Sequence, residues 1–269
     1  LTVAQPFVIS VIRFGIAAII MLCIAHLWKW ERLPYGKEWT QIALYGFLNV
    51  TVYLGVYVIA MQYVTAGIGA LAIAANPVLI SFFSVILLKQ KLSLSIYGAL
   101  LICMAGVAIA AWPLMQSAEV SPIGLGILLL SMVSYSAASL YFSSRNWNGL
   151  NLFTINGWQT FFGGLFLLPV TILLYKEEAN EFNQSFWTGV LWLAIPVSIV
   201  AVQLWLWLLQ KNAVRAGLWL FICPPFGFLF AAWWMGDKIS LFTVVGVSLV
   251  IAGLWLSRLK PRKHEILVD

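Results

Sequence analysis

Charged residues are scarce in this 269-residue sequence: Asp, Glu, Lys and Arg together make up 9% of it, and hydrophobic residues make up 62%. A soluble domain carries roughly 25% charged residues, so the composition excludes a water-soluble globular protein. Apolar runs of about 20 residues, long enough to cross the hydrocarbon core of a bilayer as helices, recur from end to end. The sequence therefore predicts an all-α integral membrane protein, with residues 1–269 forming a single transmembrane domain.

Reactive side chains are also few. The cysteines, Cys23, Cys103 and Cys223, stand alone inside apolar runs, without the spacing of a disulfide framework or a metal site. No Asp or Glu lies within a predicted span, so proton coupling has no visible carrier. The two histidines, His26 and His264, lie near the cytoplasmic end of a span and in the tail. A membrane-embedded enzyme would therefore lack a nucleophile paired with a base. We therefore expect no enzymatic activity, no cofactor and no metal site.

The charges that are present lie in short loops and report the orientation in the membrane. All Lys and Arg except Arg13, Lys176 and Lys238 follow the odd-numbered spans. Because Lys and Arg accumulate on the cytoplasmic side, we expect the tail, 261–269, to be cytoplasmic. A net charge of +6 placed in this way does not imply a nucleic-acid partner. The nine predicted spans are about 6–28, 39–60, 66–88, 94–112, 122–143, 152–175, 185–209, 213–235 and 240–258.

An internal repeat organises these spans. The segment 66–106 recurs after a shift of 147 positions, with seven identities in one register over its last thirty residues, 77–106. The two copies are five spans apart, so they cross the membrane in opposite directions. We therefore predict inverted repeats, 1–113 and 120–260, of the kind that transporters use for alternating access around a site near the midplane. The identities pair Pro77 with Pro224, Phe83 with Phe230, Lys91 with Lys238, Ser93-Leu94 with Ser240-Leu241, and Ala105-Gly106 with Ala252-Gly253.

The two repeats differ in length. The first has four predicted spans and the second has five, and the predicted orientation leaves Leu1 outside. Both features are explained if one helix precedes Leu1. We therefore expect ten helices in the native protein, with the first helix missing from this sequence and both ends in the cytoplasm.

Polar and aromatic side chains within the spans are the candidates for a binding site. Asn49, Tyr53 and Tyr57 follow the i, i+4, i+8 spacing of one helix face, and polar tips facing lipid would be unsatisfied. These three side chains either line a cavity or make interhelical hydrogen bonds. The tryptophans within the spans either form the wall of that cavity or fill space between helices. The predicted substrate-binding residues are Asn49, Tyr53, Tyr57, Asn76, Tyr135, Gln159, Gln203 and Trp219.

Three further residues are unusual at their depth. Arg13 is the only formal charge well inside a span, where it either binds a substrate carboxylate, snorkels to the interface or binds a neighbouring carbonyl. Pro77 and Pro224 are equivalent helix-breaking positions of the repeat. Each is a candidate hinge or a static kink that improves packing.

An Ala-Gly helix start, a mid-helix proline, a turn with Lys before Leu-Ser or Ile-Ser and an Ala-Gly helix end occur twice in the sequence. This repeated pattern resembles the EamA-type family of the drug/metabolite transporter superfamily. Ile12-Arg13-Phe14, Trp158-Gln159 and the segment from Arg215-Ala216-Gly217 to Pro224 are similar to that family's second, seventh and ninth helices. The turns depart from it, with Lys89-Gln90 and Gly236-Asp237 where the family commonly has Gly-Glu.

The resemblance implies a ten-helix inverted-repeat transporter of the plasma or bacterial inner membrane, with a central cavity lined by both halves. We expect a multi-pass secondary transporter with a cytoplasmic C-terminus that exports amino acids or similar small amphipathic metabolites by alternating access. The alternative is a channel-like facilitator or uniporter, or an importer of another small metabolite. The expected partners are the small-molecule substrate and the lipid bilayer, and the oligomeric state stays open.

Overall fold

The computed structural model describes residues 3–64, 69, 72–117, 121–230, 233 and 240–258. These ranges hold nine main helices and no β-strand. Five helices are long and apolar enough to cross a membrane, and four apolar helices are shorter. In chain order they are α1 (Pro6–Trp28), α2 (Lys37–Ala60), α3 (Asn76–Leu88), α4 (Leu94–Ser117), α5 (Pro122–Ser144), α6 (Leu152–Leu174), α7 (Gln184–Lys211), α8 (Ala213–Leu218, Trp219–Ile222 and Cys223–Phe230) and α9 (Leu241–Arg258).

The predicted all-α membrane fold is confirmed, and each predicted span overlaps one of these helices. The predicted span ends agree best with the observed helix ends where a capping residue marks the boundary. Ser121 and Asn151 accept backbone N–H bonds as N-caps of α5 and α6. The predicted tail, 261–269, and most of 65–71 lie outside the described residues.

The chain divides into two compact units. Unit 1 comprises 1–63 and 121–213, and it contains α1, α2, α5, α6 and α7. Unit 2 comprises 64–120 and 214–269, and it contains α3, α4, α9 and all of α8 except its first residue. Each unit therefore combines helices from both predicted repeats.

In unit 2, equivalent helices of the two repeats pack against each other. The Cys103 thiol of α4 donates to the Val250 carbonyl of α9 at 3.5 Å, and these residues are 147 positions apart, the shift of the repeat. A Cβ on Gly106 would lie 2.6 Å from the Gly246 carbonyl oxygen, and one on Gly253 would lie 3.1 Å from the Ala99 carbonyl oxygen. The shift of 147 residues relates these two contacts to each other, because it turns position 106 into 253 and position 99 into 246. Contact positions that rise along α4 fall along α9, so the two helices are antiparallel, as the inverted repeat requires.

In unit 1, α1 and α6 form the corresponding antiparallel pair. A Cβ on Gly157 would lie 2.8 Å from Leu22 Cδ2, and one on Gly164 would lie 3.2 Å from Phe14 Cβ. Helix α2 runs parallel to α6 because Gly46 touches Gln159 and Gly163 touches Val50. Small residues at these crossings let the backbones approach closely, and the van der Waals packing that results helps to drive helix association within lipid.

Three long helices contain π-helical segments: one is Cys23–Trp28 at the end of α1, and the other two lie at equivalent places in the repeats. In α2 the segment is Phe47–Val52, and in α7 it is Leu193–Ala201, which includes Pro196. A neighbouring helix donates to a carbonyl of each of these two segments: Ser134 to Leu48 O at 3.0 Å, and Asn156 to Ser198 O at 3.2 Å. Side chains of other helices therefore satisfy backbone groups at these irregular points, as a bilayer requires.

The two candidate hinge prolines do not lie in the middle of a regular α-helix. Pro77 is in the first turn of α3, which begins at Asn76 after a turn at Ala74–Ala75. Pro224 follows Cys223, the first residue of the last α-helical segment of α8, after the 3-10 turn Trp219–Ile222. The predicted mid-helix kinks are instead helix starts, where a missing N–H costs nothing. Whether these discontinuities act as hinges stays a prediction.

Hydrogen bonds between loops agree with the predicted sides of the membrane. Arg32 forms an ion pair with Glu38 at 2.7 Å, and that bond raises the pKa of the Arg32 guanidinium above its usual value. Arg32 and Glu38 also bind Asn148, which joins the α1–α2 and α5–α6 loops. At the other end of unit 1, Gln5 binds Asn180 and so joins the start of α1 to the α6–α7 loop.

Candidate functional site

A chain of buried amides crosses unit 1 between the π segments of α2 and α7. Asn49 Nδ2 donates to Gln159 Oε1 at 3.2 Å, and Gln159 Nε2 donates to Asn156 Oδ1 at 2.9 Å. Asn156 Nδ2 reaches Ser198 O at 3.2 Å and Gln203 Oε1 at 3.5 Å. The chain therefore connects the π segment of α2 through α6 to the π segment of α7.

Because the amides of this chain are buried, the loss of one of their hydrogen bonds is costly in free energy. Asn156 is fully buried, Gln159 is 1% exposed and Asn49 is 8% exposed. An unsatisfied amide in such a place costs about 1–3 kcal/mol, so a change at one amide must be accommodated by the others. Asn49, Gln159 and Gln203, three predicted site residues, are brought together here, with Asn156 as the link.

Aromatic rings form a cluster beside this chain. The ring centroids of Tyr53 and Tyr135 are 4.7 Å apart, and Tyr53 lies 6.0 Å from Tyr57. Trp205 of α7 stacks on Tyr135 at 5.8 Å, and its indole Nε1 is buried without a hydrogen-bond partner among the described residues. All four rings are half-buried. We call Tyr53, Tyr57, Tyr135 and Trp205 the ring cluster.

The predicted single stripe on α2 is wrong for Asn49. Asn49 lies in the π segment and donates to Gln159 of α6, whereas the Tyr53 ring packs on Tyr135 of α5. A π turn holds more than 3.6 residues, so it rotates the helical turns before it relative to the turns after it. Asn49 and the two tyrosines therefore approach different neighbouring helices.

Arg13 of α1 lies level with the ring cluster, because Val11 and Phe14 of α1 pack in one hydrophobic cluster with Val50 and Leu54 of α2, which flank Tyr53. Its Cζ atom is 4.4 Å from the centroid of the Phe14 ring. The Nε atom is buried and has no hydrogen-bond partner among the described residues. None of the described ion pairs includes Arg13.

The two remaining predicted site residues belong to unit 2. Asn76 is 1% exposed at the start of α3, and Trp219 is 41% exposed in the 3-10 turn of α8. Trp219 lines a cavity of about 240 Å³ together with Arg215, Leu218, Leu254 and Ser257. Gly217 approaches Ile80, so the two helix discontinuities of the repeat lie close together within this unit.

Two residues of the site were not among the predicted ones. Asn156 is the centre of the amide chain, and its i, i+3 spacing to Gln159 was the available signal. Trp205 completes the ring cluster, but nothing in the sequence separates it from the other tryptophans of α7. Among the described residues, no group of three or more His, Cys, Asp or Glu is placed to hold a metal ion.

Comparison with known proteins identifies the family. Residues 1–112 and 122–259 match the model of the EamA-like transporter family. The chain belongs to that family. The resemblance found in the sequence is thereby confirmed, and this EamA-like chain is a multi-pass membrane protein of a transporter family with a small-molecule substrate.

Individual relatives agree with this assignment. The protein PecM of Dickeya dadantii is 28% identical over 93% of this chain and 82% of its own length. An uncharacterized transporter of Archaeoglobus fulgidus is 21% identical over 96% of this chain and 90% of its own. One crystal structure superposes with a TM-score of 0.78 at 18% identity, covering 97% of this chain and 90% of that one, which shows the same fold.

Proposed function

We propose that this EamA-like protein is a secondary transporter that exports amino acids or similar small amphipathic metabolites by alternating access. The ring cluster beside a buried amide chain is the observation that carries this proposal. Tyrosine and tryptophan rings offer apolar faces to the body of a substrate, and a few placed polar groups fix its orientation. An amphipathic molecule matches that combination better than a fully polar one.

The π segments of α2 and α7 support a cycle between conformations. Both lie in helices that contribute to the site, and the amide chain connects them. A π turn exchanges for an α turn by shifting the hydrogen-bond register of a few residues, and such turns occur often at functional sites. A substrate that displaces one amide partner would bias both segments together.

The membrane and the direction of transport complete the proposal. We place the protein in the plasma membrane, the inner membrane in a bacterium, with its C-terminus in the cytoplasm. The Lys and Arg distribution supports this orientation, and the bonds of Arg32 and Glu38 to Asn148 support a common side for two of the basic loops. Export follows the tendency of the family that the sequence resembles.

Replacement of Tyr53 tests the site directly. Tyr53→Ala is expected to lower kcat/KM about tenfold for every accepted substrate, because the variant removes a ring that covers the substrate body. The measurement is efflux from proteoliposomes containing the full-length protein, screened over amino acids and nucleobases with and without a pH gradient. Tyr35→Ala, at a loop residue that is 82% exposed, is the matched control and should transport normally.

A second variant separates the amides from the rings. Gln159→Ala removes the middle of the amide chain while leaving the ring cluster in place. If Gln159→Ala and Tyr53→Ala both transport every accepted substrate at the unchanged rate, the proposed site is wrong.

A further inference from the structure

Arg13 carries a charge that no described group neutralises. It is the eighth residue of α1, about two helical turns from Pro6. Glu38, at the start of α2, is the one acidic residue inside a described transmembrane helix, and Arg32 occupies it. A buried cation in a membrane protein is costly and normally faces a partner or a cavity. The contact with the Phe14 ring offsets only part of this cost.

The unpartnered groups around the ring cluster are hydrogen-bond donors. Arg13 Nε and Trp205 Nε1 are both buried without partners among the described residues. Neither group accepts a hydrogen bond. A molecule that satisfies them must therefore bring acceptor atoms, and a molecule that neutralises Arg13 must bring negative charge.

We propose that Arg13 binds the carboxylate of the transported molecule, with the ring cluster against its apolar body. This inference rests on the proposed function and narrows it to carboxylate substrates. Tyr53 is the link, because it lies between Val50 and Leu54, which pack in one cluster with Phe14 of α1, and its ring packs on Tyr135. The planar guanidinium matches a carboxylate with two parallel N–H bonds.

Charge balance favours a carboxylate over a phosphate. A phosphate ester carries close to two negative charges at neutral pH, whereas Arg13 is the one Lys or Arg well inside a described helix of unit 1. A single guanidinium neutralises one carboxylate. By the same reasoning the α-ammonium group of an amino acid is dispensable for binding, because Glu38 is the one acidic residue in the described transmembrane helices of the unit and Arg32 already pairs with it.

Matched ligand pairs test the proposal in the full-length protein reconstituted in nanodiscs. The probes are N-acetyl-L-phenylalanine and N-acetyl-L-phenylalaninamide, which differ in the carboxylate alone, with the corresponding tryptophan and leucine pairs and the free amino acids. Binding is measured by ligand-induced thermal stabilisation. We expect at least one acid to bind about 30-fold or more tightly than its amide, as for a desolvated ion pair losing one partner.

Variants at Arg13 complete the test. Arg13→Gln should bring each acid down to the affinity of its amide, and Arg13→Lys should retain part of the difference. Arg145→Gln, in the α5–α6 loop, is the charge-matched control and should bind as the unchanged protein does. If Arg13→Gln does not fold, the acid–amide comparison in the unchanged protein still decides.

The outcomes separate this inference from the function on which it rests. Equal binding of acid and amide, or unchanged acid binding in Arg13→Gln, overturns the role of Arg13 and leaves amphipathic transport standing. If no acid, amide or free amino acid of the panel binds, the amino acid class and the carboxylate subsite fail together. Acids that bind only when their ammonium group is free contradict the dispensable ammonium.

Discussion

Gly246→Ala is expected to destabilise the protein by about 3 kcal/mol, the upper part of the range for overpacking. The added methyl group would contact the Gly106 carbonyl oxygen and lie 2.6 Å from Ala110 Cβ. Both obstacles are backbone or fixed to it, so α4 and α9 must separate. Because van der Waals packing between close backbones helps to hold helices together in lipid, unit 2 should loosen along the crossing of α4 and α9.

Two other glycines provide a graded comparison. Gly98→Ala meets only Leu256 Cδ2, at 3.2 Å, and that side chain can move. Gly126→Ala meets nothing within 4 Å and gains up to about 1 kcal/mol of helix propensity. Thermal unfolding in one detergent should rank the stabilities Gly126→Ala highest, then Gly98→Ala, then Gly246→Ala. A Gly246→Ala protein as stable as Gly126→Ala would refute the close crossing.

Asn156→Leu is expected to abolish most transport and to lower stability by about 2 kcal/mol. The change removes the acceptor of Gln159 Nε2 and the donor to Ser198 O. Each orphaned group costs about 1–3 kcal/mol when buried, although measured bonds between transmembrane helices average about 0.6 kcal/mol. Transport should be affected more than stability, because the change breaks the hydrogen-bond chain between the π segments of α2 and α7.

A second replacement of Asn156 separates the effect of side-chain size from the effect of hydrogen bonding. Asn156→Asp keeps the acceptor for Gln159, and its buried carboxyl group stays protonated, so one O–H donor replaces the two amide N–H donors. This variant should therefore lie between Asn156→Leu and the unchanged protein. Gln210→Leu, at an exposed position of α7, is the matched control. Efflux from proteoliposomes and melting temperature are measured on the same preparations. Normal efflux by Asn156→Leu would show that the amide chain plays no part in transport.

Features set by hydropathy and repetition could be predicted from the sequence. The span 6–28 coincides with α1, and 240–258 nearly coincides with α9, because the apolar runs end at polar or charged loops. The shift of 147 residues predicted that equivalent helices run in opposite directions. The antiparallel contact of Cys103 with Val250 is the physical counterpart of that shift.

Features set by local hydrogen-bond register could not be predicted. The spacing of Asn49, Tyr53 and Tyr57 assumes 3.6 residues per turn, and the π segment breaks that assumption. The helix start at Asn76 depends on the backbone before it, which periodicity does not report. The role of Asn156 depends on the packing of α6 against α7, because it donates to the backbone carbonyl of Ser198. A backbone acceptor leaves no signal in the sequence.

The most direct test of the account is counterflow in proteoliposomes that contain the full-length protein. Labelled substrate, chosen from those accepted in the efflux screen, is placed on one side of the membrane and unlabelled substrate on the other. A carrier working by alternating access predicts flux that saturates with concentration and is accelerated by substrate on the opposite side. Flux that rises linearly with concentration and ignores the opposite side would indicate a channel and contradict the account.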